Sequence, residues 1–214
     1  MYGFSFASDG LKLDGSIFQP TTNEAKYPAV LFIHGWTSER IRSYQYAQAL
    51  TDIGYVCVLV DLRGHGSSQG DRNTTSSKEF LRDVVAAYDF EATLPYVDEE
   101  NISVVGSSFG CYLIALLTKE RKVKNLVLRA PADYPNELFD VARGSREVTK
   151  FDILEWRAKK RASDETYALA ALHDFDGETL IIESELDETI PHQVIENYMS
   201  AIKKINHPAP RGGV

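Results

Sequence analysis

Ile102-Ser103-Val104-Val105-Gly106-Ser107-Ser108-Phe109-Gly110-Cys111-Tyr112-Leu113 decides how this chain folds. Residues 102–105 are a short, mostly apolar and β-branched run of the kind that forms a strand buried on both faces. The segment 109–119 carries apolar residues three and four apart, the period of a helix. Between the two there is room only for a sharp strand-to-helix turn, and there the chain reads G-x-S-x-G with Gly106, Ser108 and Gly110. Such a turn forces its central serine into a strained conformation, while the flanking glycines allow the close backbone approach that leaves the hydroxyl clear of the sheet. The helix N-terminus behind it favours developing negative charge. Ser108 is therefore expected to be a nucleophile, the alternative being a tight turn with no chemistry.

Working outward, 29–33, 55–60, 123–128 and 179–182 repeat the buried-strand signature, and 46–53, 80–94 and 194–205 repeat the helical period. This alternation predicts a largely parallel sheet covered on both faces. Ahead of it, 2–7 and 11–19 alternate apolar and polar residues around Asp9-Gly10, an antiparallel hairpin. Ser76 and Glu79 have the spacing of a capping box, which starts the second helix near Ser77, and Gly54 and Pro95 are helix stops. Residues 131–176 break the rhythm for longer than an ordinary loop and read as a small helical cap inserted into a single domain spanning 1–214. Within it, 143–161 is strongly basic. It is either a solvated helix face or a device that attracts anionic substrates over a site mouth.

The chain has 214 residues, 43% hydrophobic and 25% charged, a globular composition with enough apolar material for one core. Its net charge of −8 repels phosphate backbones and anionic lipid, so nucleic-acid and membrane partners are not expected. Cys57 and Cys111 suffice for neither a disulfide framework nor a zinc cage and fit reduced, buried thiols, consistent with a cytoplasmic setting. The first fifteen residues have neither a basic nor an apolar leader region, and no apolar run reaches the roughly 18 residues that span a bilayer.

Three further motifs carry a family resemblance. His34-Gly35-Trp36-Thr37 follows the third strand, Asp61-Leu62-Arg63-Gly64-His65-Gly66-Ser67-Ser68 follows the fourth, and Ser184-Glu185-Leu186-Asp187-Glu188-Thr189-Ile190-Pro191 follows a late one. With the G-x-S-x-G turn they make the chain similar to α/β-hydrolases, with features of serine esterases and serine aminopeptidase-like hydrolases. The resemblance covers the chain to about Ile205 and implies an α/β-hydrolase fold: a mostly parallel twisted sheet, helices on both faces, a short helical cap. It also implies that the backbone N–H groups of Trp36 and Phe109 form an oxyanion hole, that the ring of His34 braces its loop, and that Asp61, Arg63 and His65 hold theirs. Asp187 stands where the family has its acid, with Asp133 as runner-up. His207 is the histidine that satisfies the Ser–Asp–His order with room to spare, although the proline-rich 205–214 contains no strand-like run, so the terminal strand is expected to be missing. An exposed sheet edge would then invite pairing with a second copy.

The expected activity is that of a carboxylesterase-like serine hydrolase. Ser108, His207 and Asp187 would cleave a small acyl ester through an acyl-enzyme, with no metal or organic cofactor. A peptidase or thioesterase on the same fold, and a non-catalytic binding relative lacking a working base, remain open alternatives.

Overall fold

The structure, a computed structural model, describes residues 1–202; His207 lies outside them. Strands β1 (Tyr2–Ser8) and β2 (Leu11–Phe18) form the antiparallel hairpin, joined by Asp9 at φ 48° and Gly10 at φ 80°. Two successive positive φ values give the turn a twist that matches its strands. Strands β3 (Tyr27–Ile33), β4 (Val56–Val60), β5 (Val97–Ser107), β6 (Asn125–Arg129) and β7 (Glu178–Ile182) are parallel, and the seven-stranded order is β1-β2-β4-β3-β5-β6-β7. This is the mostly parallel sheet of an α/β-hydrolase.

Both faces are covered. Ala29, Leu31 and Ile33 of β3 and Val56, Val58 and Val60 of β4 join the larger apolar core. The alternate residues Val30, Phe32, Cys57 and Leu59 join a smaller one with Ala47 of α1 (Tyr44–Asp52). That is why these strands read as continuous apolar runs rather than as alternation. Helix α2 (Ser77–Thr93) starts with a complete capping box: the Ser76 hydroxyl accepts from the Glu79 N–H, and the Glu79 carboxylate accepts from the Ser76 N–H. Helix α3 (Phe109–Leu117) is buried along its whole length. Cys57 and Cys111 are free and buried.

Strand β5 begins at Val97, earlier than the apolar run alone predicts. Polar residues 98–101 continue it beside β3 through a register shift between Tyr27 and Ala29. The segment 131–176 carries the short helices α4 (Arg146–Thr149), α5 (Ile153–Arg157) and α6 (Tyr167–His173), and α7 (His192–Ala201) follows β7. No described helix is long and apolar enough to cross a membrane.

The strand order positions the site. From β3 the chain moves to β4 on one side, and β5 then pairs with β3 on the other. The order reverses between β3 and β5, and in open α/β sheets ligands bind in the crevice outside the carboxyl ends of the strands at such a point. The Gly35-Trp36 turn leaves β3 there and Ser108 leaves β5 there.

Candidate active site

Ser108 stands alone between β5 and α3 with φ 50° and ψ −112°. This is the mirror image of an ordinary extended conformation, costs a non-glycine residue about 1–3 kcal/mol, and persists only where its surroundings over-determine it. Here they do. The Ser108 N–H donates to the Arg129 carbonyl at 2.9 Å, and the Ser108 carbonyl accepts from the N–H groups of Cys111 (2.9 Å) and Ala132 (3.3 Å). The glycines explain the rest by sterics. A β-carbon on Gly106 would lie 2.7 Å from the Cys111 nitrogen, and one on Gly110 would lie 2.3 Å from the Ile33 carbonyl oxygen. The first turn of α3 is thus seated directly on the end of β3.

The turn after β3 closes against the same elbow. A β-carbon on Gly35 would lie 3.3 Å from the Ser107 oxygen and 3.4 Å from the β-carbon of Ser108, so this backbone is in van der Waals reach of the serine side chain. Neither the Trp36 N–H nor the Phe109 N–H donates to a partner among the described residues. Two main-chain donors beside one strained serine are left unspent, an arrangement able to stabilise a developing anion without reorganising.

Ser108 opens into a cavity of about 520 Å³ whose wall includes Trp36, Tyr134, Arg143, Arg157 and Asp187. That volume suits a small organic molecule. Asp187 lies in the loop after β7, where its Oδ1 accepts from the N–H groups of Thr189 and Ile190, both at 2.9 Å. Asp133, the other acid candidate, is not on the cavity wall. Its carboxylate accepts from the Tyr134 N–H and, at 2.9 Å, from the hydroxyl of Thr166 at the start of α6. Burial raises its pKa from 3.8 to about 6.

None of the four described histidines lines the cavity. His34 is spent on its loop: Nε2 accepts from the Leu62 N–H at 3.1 Å, which leaves Nδ1 to donate to the Gly35 carbonyl at 2.7 Å. Desolvation lowers its pKa to about 4, so the ring is neutral. His65 is equally committed, with its ring nitrogens on the carbonyls of Arg63 (3.0 Å) and Trp36 (2.5 Å). His173 is exposed on α6. His192 is exposed, paired through Nδ1 with Glu183 at 2.6 Å, and its pKa is raised by that carboxylate. Arg63 forks onto buried Asp83 and also reaches Asp9, while Asp61 accepts from the Arg40 and Ser67 N–H groups and pairs with the Arg40 side chain. These residues hold loops.

The basic segment is not one solvated helix face. It is broken into α4 and α5, with Arg146, Lys150, Lys159 and Lys160 outward while Arg143 and Arg157 turn onto the cavity wall. Which cations point inward depends on where the cap breaks, and no periodicity in the sequence marks that. Among the described residues, no group of three or more His, Cys, Asp or Glu is placed to hold a metal ion.

The family model for X-Pro dipeptidyl-peptidases (S15 family) matches residues 9–204. Among curated proteins, the quorum-quenching protein AidA of Acinetobacter baumannii is 27% identical over 129 residues, 59% of this chain and 42% of AidA. The matched stretch is about two-fifths of the length of the curated relatives. Among solved structures, Est1E of Butyrivibrio proteoclasticus with ferulic acid bound superposes with TM-score 0.75 at 24% identity, covering 95% of this chain and 87% of that one. The acylaminoacyl peptidase of Pyrococcus horikoshii superposes with TM-score 0.67 at 20% identity, covering 94% of this chain and 34% of that one.

Proposed function

The chain belongs to the X-Pro dipeptidyl-peptidase (S15) family of α/β-hydrolase serine hydrolases, and from that premise we propose that it hydrolyses carboxylic esters at Ser108. The observation that carries this reading is the strained Ser108 backbone at the cavity, with the unspent amides of Trp36 and Phe109 beside it. Ser108 Oγ attacks the ester carbonyl carbon while its proton passes to a histidine. The carbonyl electrons move to an oxyanion held by the Trp36 and Phe109 N–H groups, and collapse expels the alcohol, which takes the proton back. Water then repeats the sequence on the acyl-enzyme. Asp187, on the same cavity wall, is assigned to orient the histidine. His207 is assigned as the base because the other four histidines are committed elsewhere or exposed off the cavity.

Charge favours ester over peptide. An enzyme that releases dipeptides from a free amino terminus has to hold an ammonium, which needs an available carboxylate. This cavity has two arginines, and the carboxylate on its wall, Asp187, is the one assigned to the histidine. The bound ferulic acid in Est1E is a carboxylic acid, the product class of ester cleavage. The binding-module alternative draws on the absence of a described histidine from the cavity wall.

A fluorophosphonate probe separates the two. It is expected to modify the native protein and not Ser108→Ala, and nitrophenyl esters are expected to turn over faster than alanyl-prolyl nitroanilide. A folded protein that resists the probe would overturn the enzymatic reading. Labelling with unchanged ester turnover in His207→Ala would overturn only the assignment of the base.

A further inference from the structure

Two cations of the cap are ion-paired, and the two on the cavity wall are not. Lys159 pairs with Glu155 at 2.9 Å, and Arg161 pairs with Glu165. Arg143 and Arg157, which line the cavity of Ser108, have no ion-pair partner among the described residues. Arg143 is held by aromatic faces: its guanidinium carbon lies 4.9 Å from the ring centre of Trp36, 4.7 Å from Phe109 and 4.2 Å from Tyr134. Its Nε is buried without a hydrogen-bond partner. Arg157 is only 4% exposed and lies 4.8 Å from the Tyr134 ring centre. It donates from Nε to the Asp133 carbonyl and from Nη1 to the Thr189 carbonyl, both at 3.2 Å, which leaves Nη2 unspent among the described residues.

Ring faces and carbonyls steady a cation without cancelling its charge. The buried Asp133 carboxylate, which accepts from Tyr134 and Thr166 behind the wall, interacts with the Arg157 charge and offsets part of it, but no carboxylate of the described residues lies within ion-pair distance of Arg143 or Arg157. A secluded cation is costly unless an anion completes it, and here the cavity is the open side. We propose that Arg143 and Arg157 form a subsite for an anionic group of the substrate, so that the ester cleaved at Ser108 carries a free carboxylate, as a half-ester of a dicarboxylic acid does. A planar guanidinium fork matches a carboxylate in shape as well as charge. This assignment rests on the reading of Ser108 as nucleophile and adds the substrate class to it.

The test compares release of nitrophenolate from the 4-nitrophenyl half-ester of adipic acid with its release from the same compound methylated at its free carboxyl, two substrates with the same scissile bond that differ in whether the far carboxyl is charged. The acidic ester is expected to have a kcat/KM about tenfold or more higher. That ratio is expected to fall by on the order of ten- to a hundredfold in Arg143→Gln. Arg143→Lys, which keeps the charge and loses the fork, restores part of the ratio, as a merely misfolded cap would not. Lys160→Gln, on the outer surface of the same segment, leaves the ratio unchanged, which separates a local subsite from general attraction by the basic cap. In Ser108→Ala, calorimetry with monomethyl adipate is expected to show binding that Arg143→Gln weakens to a similar degree. Equal turnover of the two esters, or a ratio unmoved by Arg143→Gln, overturns the anion subsite while the hydrolase reading stands. Arg143-dependent binding of monomethyl adipate by a protein that no fluorophosphonate labels supports the subsite and overturns the hydrolase reading instead.

Discussion

The two halves of the cavity are built by different physics. The sheet half, from Ser108 and the Gly35-Trp36 turn, is fixed by contacts between backbones: glycine positions without room for a β-carbon and a serine held at positive φ by three main-chain hydrogen bonds. In the cap half the backbone is tied at 142–144, where Arg143 and Gly144 donate to the Thr75 and Asn73 carbonyls, and the groups that face the cavity, from Tyr134, Arg143 and Arg157, are held by ring faces and by side-chain bonds to carbonyls. Backbone contacts tolerate no adjustment, because neighbouring elements move as units, whereas side chains can repack. The sheet half therefore suits the invariant step of a reaction and the cap half suits the choice of substrate. Substitutions on the two sides should differ accordingly in kind.

The largest contrast is expected at Ser108 itself. Glycine adopts φ 50° and ψ −112° freely, so Ser108→Gly should remove turnover by a factor on the order of 10⁶ while raising stability by about 1 kcal/mol. Ester kinetics and a denaturant titration on the same sample check both signs. A loss of stability would mean that the observed backbone is not strained at this residue. Next comes Gly110→Ala, whose β-carbon would meet the Ile33 and His34 carbonyl oxygens at 2.3 and 2.7 Å. Neither oxygen can rotate away, so α3 has to lift off β3, with a destabilisation of about 3 kcal/mol or more and loss of the geometry around Ser108. A variant with native stability and native kcat would contradict the seating of α3 on β3. No single cap substitution is expected to match either effect on kcat.

The same division explains what could be read from the chain alone. Gly106, Ser108 and Gly110, the Asp9-Gly10 turn and the Ser76/Glu79 box are local devices whose spacing states their geometry, and each sits in the element it predicts. The parallel strands are legible from the alternation of apolar runs, although their order in the sheet is not and β5 extends back to Val97 through polar residues that conceal it. The convergence of Ser108, Trp36 and Asp187 on one cavity follows from strand ends that share a sheet edge. The inward arginines do not follow from any such rule. Arg143 and Arg146 are indistinguishable as letters, and it takes the long-range backbone bonds of Arg143 and Gly144 to Thr75 and Asn73, with packing on Trp36, Phe109 and Tyr134, to turn the first inward. His207, outside the described residues, is assigned as the base by chain order and elimination among the five histidines.

The halves also differ in how they respond to acid, and here the two responses oppose each other. His34 braces the sheet half with its pKa lowered from 6.5 to about 4 by burial, opposed by the bond to Gly35. Its folded form resists protonation, so its contribution is full above pH 6.5 and is lost as pH falls toward 4, a span worth about 3 kcal/mol. Asp133 anchors the cap half with its pKa raised from 3.8 to about 6, by burial against the hydrogen bonds of Tyr134 and Thr166. Its folded form favours the proton, so its contribution is full below pH 3.8 and is lost as pH rises through 6, again about 3 kcal/mol. Over the shared window the two slopes nearly cancel, and their joint effect on stability is expected to be small. Asp133→Asn removes one slope and keeps a polar side chain against the Tyr134 N–H and the Thr166 hydroxyl. Its stability, measured by urea titration at intervals across the window, should rise with pH relative to that of the native protein. His34→Gln, which keeps an acceptor for the Leu62 N–H, should make stability fall with pH relative to native. If both variants run parallel to the native curve, burial does not perturb these two groups as described, and the two halves share a single response to acid.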